Sequence, residues 1–339
     1  MPISRSSLDA KRRLLETPDD ASALLALAWP PRSRADLGRL PATLRRAATL
    51  PDAVDIRHRA WLWRLMQVVT VFKKRAARYG KTTTWSMTAP NGQEILFPLG
   101  EPGAIAFKAM ADEYGQDYER ALIEFVAARL GPGDVFIDVG AHVGYISAFA
   151  ATTGASVFAI ELQRELIPLI EQLATLNAFD TLRPLHAGAS GRAGLGAIPR
   201  INASPGAGFT SANRSITSDD PRSIADDFVP MITLDDAFGR DRLWPSMVKI
   251  DAEGHEIAVI DGARRIIEHG TTTFAVEFHP HLVGLYDGTA EQLLAPFPAE
   301  RWRRSQLTDD GLQPITGMAD VVPDPRDPNP KLVFEPLPR

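Results

Sequence analysis

The stretch KIDAEGHE, residues 249–256, places five ionisable side chains directly after an apolar run. The run PSMVKI, residues 245–250, overlaps its first two residues and is typical of a short buried β-strand. Side chains alternate along a strand, so Lys249 and Asp251 share one side of it while the apolar residues face the other way. Unpaired charges are costly to bury, and a hydrophobic core gains nothing from them. These two residues, together with Glu253, are therefore candidates for ligand binding or catalysis.

A second apolar run, TTFAVEFHP, also ends in ionisable residues, and Glu277 and His279 share one side of the predicted strand. Carboxylates and imidazole are groups that move protons, and a positioned base typically speeds a reaction about 10²–10⁴-fold. His279 is the best single candidate for such a base because imidazole titrates nearest neutrality. Asp251 or Glu277 can orient it or act in its place.

The same carboxylates and imidazole are also ligands for Mg²⁺ or another hard divalent cation, which would lower the pKa of a bound hydroxyl. No metal-spacing motif singles out this alternative, so the metal stays open but disfavoured, and no ligand set is assigned to it. Lys249 has a structural alternative, a salt bridge to Asp251 or Glu253. For His255 the favoured interpretation is a polar residue in the first turn of a helix.

The sequence DVGAHVG, residues 138–144, joins another apolar run to a helical segment. Gly140 permits a tight turn and the close approach of a ligand to the backbone, and Gly144 lets the helix pack closely. In a dinucleotide fingerprint, GxGxxG, the second glycine makes room for pyrophosphate. Here that position is His142, which favours a cofactor without phosphates, such as S-adenosylmethionine.

Glu161 ends the next apolar run and lies 17 residues beyond Gly144. A carboxylate accepts two hydrogen bonds side by side, so Glu161 can bind both hydroxyls of a ribose. This spacing agrees with NAD as well as with S-adenosylmethionine. The structural alternative is that Asp138 and Glu161 only cap helix N-termini.

Strand-like and helix-like segments alternate from about residue 118 onward. The predicted strands are VFIDVG, SVFAIEL, LRPLHAGAS, MVKIDAEG and TTFAVEFHP, and two late runs, RWRRSQLT and KLVFEPL, can complete the sheet. HEIAVIDGARRIIEHG is predicted as one helix, TLDDAF as a short helix capped by Thr233, and residues 191–230 as a long loop. Such alternation predicts a mostly parallel, doubly wound α/β sheet. Ligands of these sheets bind at the carboxyl ends of the strands, where the charges of residues 249–256 fall.

Four segments together resemble the FkbM family of S-adenosylmethionine-dependent methyltransferases: GPGDVFIDVGAHVGYIS, AIELQRELIPLIEQLATLN, AGASGRAG and VKIDAEGHEIAVIDGA. The resemblance covers about residues 105–285. It implies the class I methyltransferase fold, which is a Rossmann-like, doubly wound, mostly parallel sheet of seven strands. It also implies O-methylation of a hydroxyl on a sugar or glycan, or on a secondary metabolite such as a polyketide.

The resemblance further implies a set of cofactor-binding residues, in which His142 stands where Asn is more usual in the family. These are Asp138, Gly140, His142 and Gly144 at the methionine end, Glu161 at the ribose, Asn177 and Ala189 near the adenine, and Asp251. In a sheet of this family the fourth and fifth strands are neighbours, so Asp251, Glu253, Glu277 and His279 are expected to converge beside Lys249. Methyl transfer is a displacement that needs in-line positioning and removal of the hydroxyl proton.

Residues 1–90 are predicted to form a helical N-terminal extension, and residues 91–339 the methyltransferase domain. Residues 1–81 carry 17 Lys and Arg against 7 Asp and Glu, whereas the whole chain has a formal charge of −5. A basic segment can attract an anionic substrate, a nucleic acid or a membrane surface, although solvated helix faces explain these scattered charges more simply. The extension is a candidate for shaping the acceptor site or for a homo-oligomer contact.

The composition narrows the function classes. The chain has no cysteine, which excludes disulfides and thiolate chemistry, and no apolar run approaches the ~20 residues of a membrane span. Both features fit a cytoplasmic protein. Three rivals to a methyltransferase remain: an NAD(P)-dependent oxidoreductase, a nucleic-acid-binding methyltransferase-like protein, and a module that binds the cofactor without catalysis. His142 in the glycine turn disfavours the oxidoreductase. The 8% aromatic content disfavours the nucleic-acid-binding protein. The intact carboxylates disfavour a module without catalysis.

Overall fold

The computed structural model describes residue 79 and residues 82–114, 118–198, 227–239, 243–283, 288–322 and 329–338. Its strands are β1 (Thr84–Thr88), β2 (Glu94–Pro98), β3 (Val135–Val139), β4 (Ser156–Glu161), β5 (Leu182–His186), β6 (Gly188–Ala189), β7 (Gly194–Ile198), β8 (Asp227–Ile232), β9 (Met247–Ile250), β10 (Thr273–Glu277), β11 (Trp302–Thr308), β12 (Gly311–Pro314) and β13 (Lys331–Pro336). Its helices are α1 (Pro102–Tyr114), α2 (Arg120–Ala127), α3 (Tyr145–Ala151), α4 (Ile167–Asn177), α5 (Leu234–Phe238), α6 (Glu256–Asp261), α7 (Arg264–His269), α8 (Pro280–Val283) and α9 (Ala290–Leu294).

The central sheet has eight strands in the order β12-β11-β13-β10-β9-β3-β4-β5. The five strands from β5 to β10 in this order are parallel, whereas β13 runs antiparallel to both β10 and β11. This arrangement is the class I methyltransferase sheet, as expected. The predicted count of seven strands was wrong by one, because β11 turns back at Gly311 into the hairpin strand β12.

Apolar side chains cover both faces of the sheet, as parallel strands require. Ile137, Val248 and Val276 pack on one face, while Phe136 and Met247 pack on the other. Every residue of β3 and of β9 is buried. In β3 and β9 the ionisable residues are Asp138 and Lys249, which pair with each other.

A compact unit spans Thr82–Arg339. Residues 84–88, which the sequence interpretation placed in the N-terminal extension, form β1 and pair with β2 in a hairpin. The helices predicted within residues 1–80 lie outside the described residues. No membrane-spanning helix is found in the part of the chain that the structure describes.

The predicted helix HEIAVIDGARRIIEHG is instead two helices, α6 and α7. The break falls at Gly262, whose carbonyl accepts a hydrogen bond from the backbone N–H of Asp235 at 2.8 Å. The carboxylate of Asp235 then accepts from the backbone N–H groups of Arg265 and Ile266, at 2.9 and 3.1 Å. Helix α7 thus receives its own N-terminal cap from α5, and α5 has the predicted cap, Thr233.

The predicted loop 191–230 is partly ordered into strands. β7 and β8 pair antiparallel, and β8 pairs with β6, which gives a small three-stranded sheet. Residues 199–226 lie outside the described residues.

Candidate active site

The register of the sheet brings the two acidic strand ends together. Ile250 of β9 pairs with Val276 of β10 on one side and with Val139 of β3 on the other. Asp251 and Glu277 follow these paired residues on adjacent parallel strands. The carboxyl ends of β3, β9 and β10 therefore form one edge, where the glycine turn after β3 meets both groups of ionisable residues.

His279 lies at the centre of the cluster that its sequence position predicts. Its Nε2 is 3.9 Å from a carboxylate oxygen of each of three residues, Asp251, Glu253 and Glu277. Its Nδ1 is 2.8 Å from Oε1 of Glu256. The imidazole is 3% exposed, whereas the side chains of Asp251 and Glu253 are 30% and 31% exposed. Among the described residues, the cluster is therefore open on the carboxylate side.

The same groups are close enough to raise the question of a metal ion, since ligand atoms of Asp251, Glu277 and His279 all lie within 4.8 Å of one another. Two ligands bonded at ~2.1 Å to one ion are about 3.0–3.4 Å apart at right or tetrahedral angles. The observed separations of 3.9 Å are longer. A charged imidazole between carboxylates is an arrangement that accounts for this grouping.

Electrostatics divides the cluster into groups with different proton affinities. Burial would lower the pKa of His279, but the hydrogen bond to Glu256 and the charge of Asp251 raise it to about 9. Burial and the charge of Asp251 raise the pKa of Glu277 to about 8. Burial opposes the ionisation of Asp251, yet Lys249 and His279 hold its pKa below the ordinary value. Asp251 is thus the permanent anion of the cluster, while Glu277 and His279 titrate above neutrality, near pH 8 and pH 9.

Lys249 joins the cluster to the glycine turn. Its Nζ lies 3.1 Å from Oδ1 of Asp138 and 3.3 Å from Oδ2 of Asp251, and it donates to the carbonyl of Gly140 at 3.1 Å. Burial alone would lower the pKa of Lys249, but Asp138 and Asp251 raise it well above the ordinary value. The ammonium is therefore a permanent cation that holds Asp138, Asp251 and the carbonyl of Gly140 together. This agrees with the salt-bridge alternative that the sequence offered for Lys249.

The glycine turn has the backbone that its sequence predicts. Gly140, His142 and Gly144 have φ of 73°, 52° and 80°, in the left-handed region that glycine tolerates best. A Cβ on Gly140 would lie 1.9 Å from the carbonyl oxygen of Asp251. The glycine is thus required by the approach of Asp251 at the end of β9, and its positive φ fits the tight turn that the sequence indicated.

His142 is a half-buried, neutral imidazole next to the cluster. Burial lowers its pKa to about 4, and Lys249 adds to this while Asp251 opposes it. Its ring lies 5.5 Å from that of Phe107, measured between centroids. Its Nε2 is buried and has no hydrogen-bond partner among the described residues. A polar atom in this situation is suited to a bound ligand.

Glu161 presents its carboxylate beneath the same turn. Its oxygens accept the backbone N–H groups of His142 at 2.7 Å and Gln163 at 2.6 Å. Burial raises the pKa of Glu161 to about 7, against the backbone hydrogen bonds. A carboxylate has about four acceptor positions, so two remain for the hydroxyls of a ribose. These acceptor positions fit the hydroxyls of a nucleoside cofactor.

Three predicted cofactor residues make contacts within the protein itself. Asn177 does not reach the strand ends, because its amide bonds the backbone N–H and C=O of Leu96 at 2.7 Å and holds β2 against α4. Asp138 is fully buried and accepts from Ser147 Oγ at 2.7 Å, so it braces Lys249 and α3. Ala189 is buried in β6 and pairs with Ile232.

The nearby His255 has the structural role that the sequence favoured. It is buried, and its Nε2 lies 3.1 Å from Ser190 Oγ.

Sequence reasoning missed Glu256, Lys331 and Tyr118. Lys331 pairs with Glu277 in the β10–β13 register, and its Nζ lies 3.1 Å from Glu119 and 3.9 Å from Glu277. Burial, followed by the charges of Glu119 and Glu277, raises the pKa of the Tyr118 phenol well above its ordinary value. Only Glu256 had a visible signal, as the last residue of KIDAEGHE.

Comparison with known proteins identifies the kind of domain that carries this site. Residues 138–291 match the model of the methyltransferase FkbM domain. No curated protein matches the chain. The solved methyltransferase FkbM from Methylobacillus flagellatus is similar, with 15% identity, 86% of this chain and 65% of that chain covered, and a TM-score of 0.38. The chain thus spans less than two thirds of that protein.

Two further solved structures are similar at comparable levels. An rRNA methylase from Streptococcus thermophilus has 11% identity, covers 64% of this chain and 95% of that chain, and has a TM-score of 0.37. The 16S rRNA N2 G1207 methyltransferase of T. thermophilus, solved with AdoMet and guanosine, has 13% identity, 75% and 50% coverage, and a TM-score of 0.36.

Proposed function

Because residues 138–291 match the methyltransferase FkbM domain, we propose that the chain transfers the methyl group of S-adenosylmethionine to a hydroxyl of a sugar, glycan or secondary metabolite. The observation that carries the proposal is the convergence of Asp251, Glu277 and His279 beside the glycine turn. Proton acceptors are needed where a hydroxyl must become a nucleophile. An acid–base cluster is therefore the feature that favours O-methylation.

The residues around the turn would hold the cofactor. Glu161 would accept the ribose hydroxyls, and the backbone of residues 140–144, with the imidazole of His142, would line the methionine end. Bound S-adenosylmethionine would supply an electrophilic methyl group on a sulfonium centre. The carboxylates of the edge favour this positive charge, because opposite charges attract more strongly away from bulk water.

The cluster would take the proton of the acceptor hydroxyl. The hydroxyl proton of the acceptor would pass to Nε2 of His279 or to a carboxylate oxygen of Glu277. The methyl carbon would exchange its bond to sulfur for a bond to the acceptor oxygen, with the sulfur electron pair retained by the released S-adenosylhomocysteine. The pKa values of about 9 and about 8 make both groups strong bases once they are deprotonated.

Ligand binding and kinetics test the proposal in sequence. S-adenosylmethionine and S-adenosylhomocysteine should raise the melting temperature, whereas NAD should not. In a screen of hydroxylated acceptors with labelled methyl donor, His279→Asn and Glu277→Gln should each lower kcat about 10²–10⁴-fold and leave the Kd of S-adenosylhomocysteine unchanged. Activity should survive dialysis against a chelator. Stabilisation by NAD alone, or methylation only of nucleic acid, would refute the proposal.

A further inference from the structure

We propose that Glu256 is a positioning residue that fixes the proton of His279 on Nδ1 and so presents Nε2 to the acceptor. This assignment rests on the proposed function, because it concerns the base of that reaction. Glu256 acts through His279 and has no contact of its own with the reacting atoms.

The contact geometry carries the assignment. Oε1 of Glu256 lies 2.8 Å from Nδ1 of His279 and also accepts the backbone N–H of Gly254 at 2.9 Å. An ionised carboxylate only accepts hydrogen bonds, so the hydrogen between the two side chains belongs to Nδ1. In the neutral ring, Nε2 then carries the lone pair and faces Asp251, Glu253 and Glu277.

The backbone around both residues is tightly held. Gly254 has φ of 97°, and a Cβ there would lie 2.8 Å from Cβ of Leu282 in α8. The carbonyl of His279 accepts the N–H groups of Leu282 and Val283, both at 3.0 Å. The start of α6, which carries Glu256, is therefore packed against the start of α8, which follows His279. Packing of this kind leaves the imidazole little freedom to rotate.

Burial makes the charge of Glu256 depend on its partner. Glu256 is fully buried, and its Oε2 has no hydrogen-bond partner among the described residues. A buried carboxylate is costly unless a cation compensates it. When His279 takes a proton, the resulting imidazolium supplies that compensation, as in the carboxylate–imidazole pairs of other enzymes. The charged groups facing His279 on its other side are Asp251 and Glu253 after β9, and Glu277 of β10.

The two functions of Glu256, orientation and charge, can be separated by substitution. Glu256→Gln keeps an oxygen that accepts from Nδ1 but removes the charge, whereas Glu256→Ala removes both. Ser190→Ala is the matched control. It deletes one hydrogen bond to a different buried imidazole, that of His255, the residue before Glu256.

Ring-nitrogen NMR on the free protein tests the assignment without any cofactor or acceptor, with His279→Asn used to identify the signals. In the native protein, the neutral ring of His279 should carry its proton on Nδ1. In Glu256→Gln the proton should stay on Nδ1, while the pKa of His279 should fall by more than about one pH unit toward its ordinary value. In Glu256→Ala the proton should no longer be confined to Nδ1. An unchanged pKa in Glu256→Gln, or a proton on Nε2 in the native protein, would overturn the proposal.

Kinetics supply the second readout. Glu256→Gln should move the pH at which kcat is half-maximal downward with the His279 pKa, and should lower the plateau about tenfold or more because the base is weaker. Ser190→Ala should keep the native pH midpoint. A merely structural Glu256 would lower activity equally at every pH. If the NMR results hold but no hydroxyl acceptor is methylated, the proposed function fails and the positioning role stands.

Discussion

The raised pKa of Glu161 predicts how the affinity for the cofactor depends on pH. The carboxylate has a pKa of about 7, raised from 4.5 by burial. To accept two ribose hydroxyls it must be ionised, so binding must remove its proton wherever that proton is present. Nucleoside affinity should therefore be constant above about pH 7 and should fall tenfold for each pH unit below it.

The magnitude follows from the same values. Hydrogen bonds to a charged group contribute ~1.5–3 kcal/mol each, so two of them would lower the pKa of Glu161 in the complex by about 2–4 units. Affinity should then be about 30-fold weaker near pH 5.5 than near pH 8. His142, with a pKa of about 4, titrates below this window, whereas Glu277, with a pKa of about 8, titrates at its upper end.

Titration calorimetry with 5′-methylthioadenosine isolates this effect, because the probe lacks the amino-acid end of the cofactor, whose amine titrates near neutrality. Glu161→Gln should bind about 100-fold more weakly at high pH, as expected for the loss of ~3 kcal/mol, and should show no pH dependence between about pH 5.5 and 8. The 2′-deoxy analogue is the matched ligand control and should show a smaller dependence. Binding by the native protein that does not change with pH would refute the assignment of Glu161 to the ribose.

Ionisation of the Glu161 carboxylate lowers the stability of the free protein. Because the folded pKa is raised, ionisation of Glu161 disfavours the folded state, and the stability present below about pH 4.5 is lost as the pH rises to about 7. The difference amounts to ~3 kcal/mol. A buried carboxylate whose ionisation destabilises the free protein at neutral pH is typical of a binding site.

Two further predictions concern the framework under the site. Asp138→Asn should lower the free energy of unfolding by about 3 kcal/mol. This is the lower end of the range for a broken buried ion pair, because Lys249 keeps its contact with Asp251. Urea denaturation measures the difference, and a change below ~0.5 kcal/mol would contradict the prediction. Gly140→Ala should abolish nucleoside binding in calorimetry and cost far more stability than Gly92→Ala, since both glycines have positive φ but only a Cβ on Gly140 would meet another atom within 4 Å. Equal costs at the two positions would show that backbone strain, not the contact with Asp251, explains the glycine.

Local patterns were sufficient to predict the strands that position the cluster. Alternation along MVKIDAEG and TTFAVEFHP correctly separated the buried apolar residues from Asp251, Glu277 and His279, because strand periodicity depends only on the chain itself. The adjacency of the two strands came from the family resemblance, and the register of β9 and β10 agrees with it. The positive φ at Gly140 and Gly144 also agrees with the turn that the sequence indicated.

Roles that depend on a distant partner could not be predicted in this way. Asn177 is 81 residues from Leu96 of β2, and β1, the strand that pairs with β2, had been assigned to the N-terminal extension. Lys331 reaches Glu277 only because β13 runs antiparallel beside β10. Glu256 pairs with an imidazole 23 residues away, across a packed contact between two short helices. In each case the sequence gives the residue type, and only the fold gives its partner.

The cofactor turn and the acid–base cluster behave as one unit because Lys249 and Gly140 link them. The ammonium holds Asp138, Asp251 and the carbonyl of Gly140 within 3.3 Å, and the missing side chain of Gly140 makes room for the carbonyl of Asp251. A displacement at either end must therefore move the other, since both contacts are short and buried. Placement of a methyl donor relative to a base matters over about 1 Å, and this link is the feature of the described structure that can maintain it. The charges at the end of β9 thus have two effects in the structure: Lys249 links the strand end to the glycine turn, and Asp251 provides the anion around which the titrating groups are arranged.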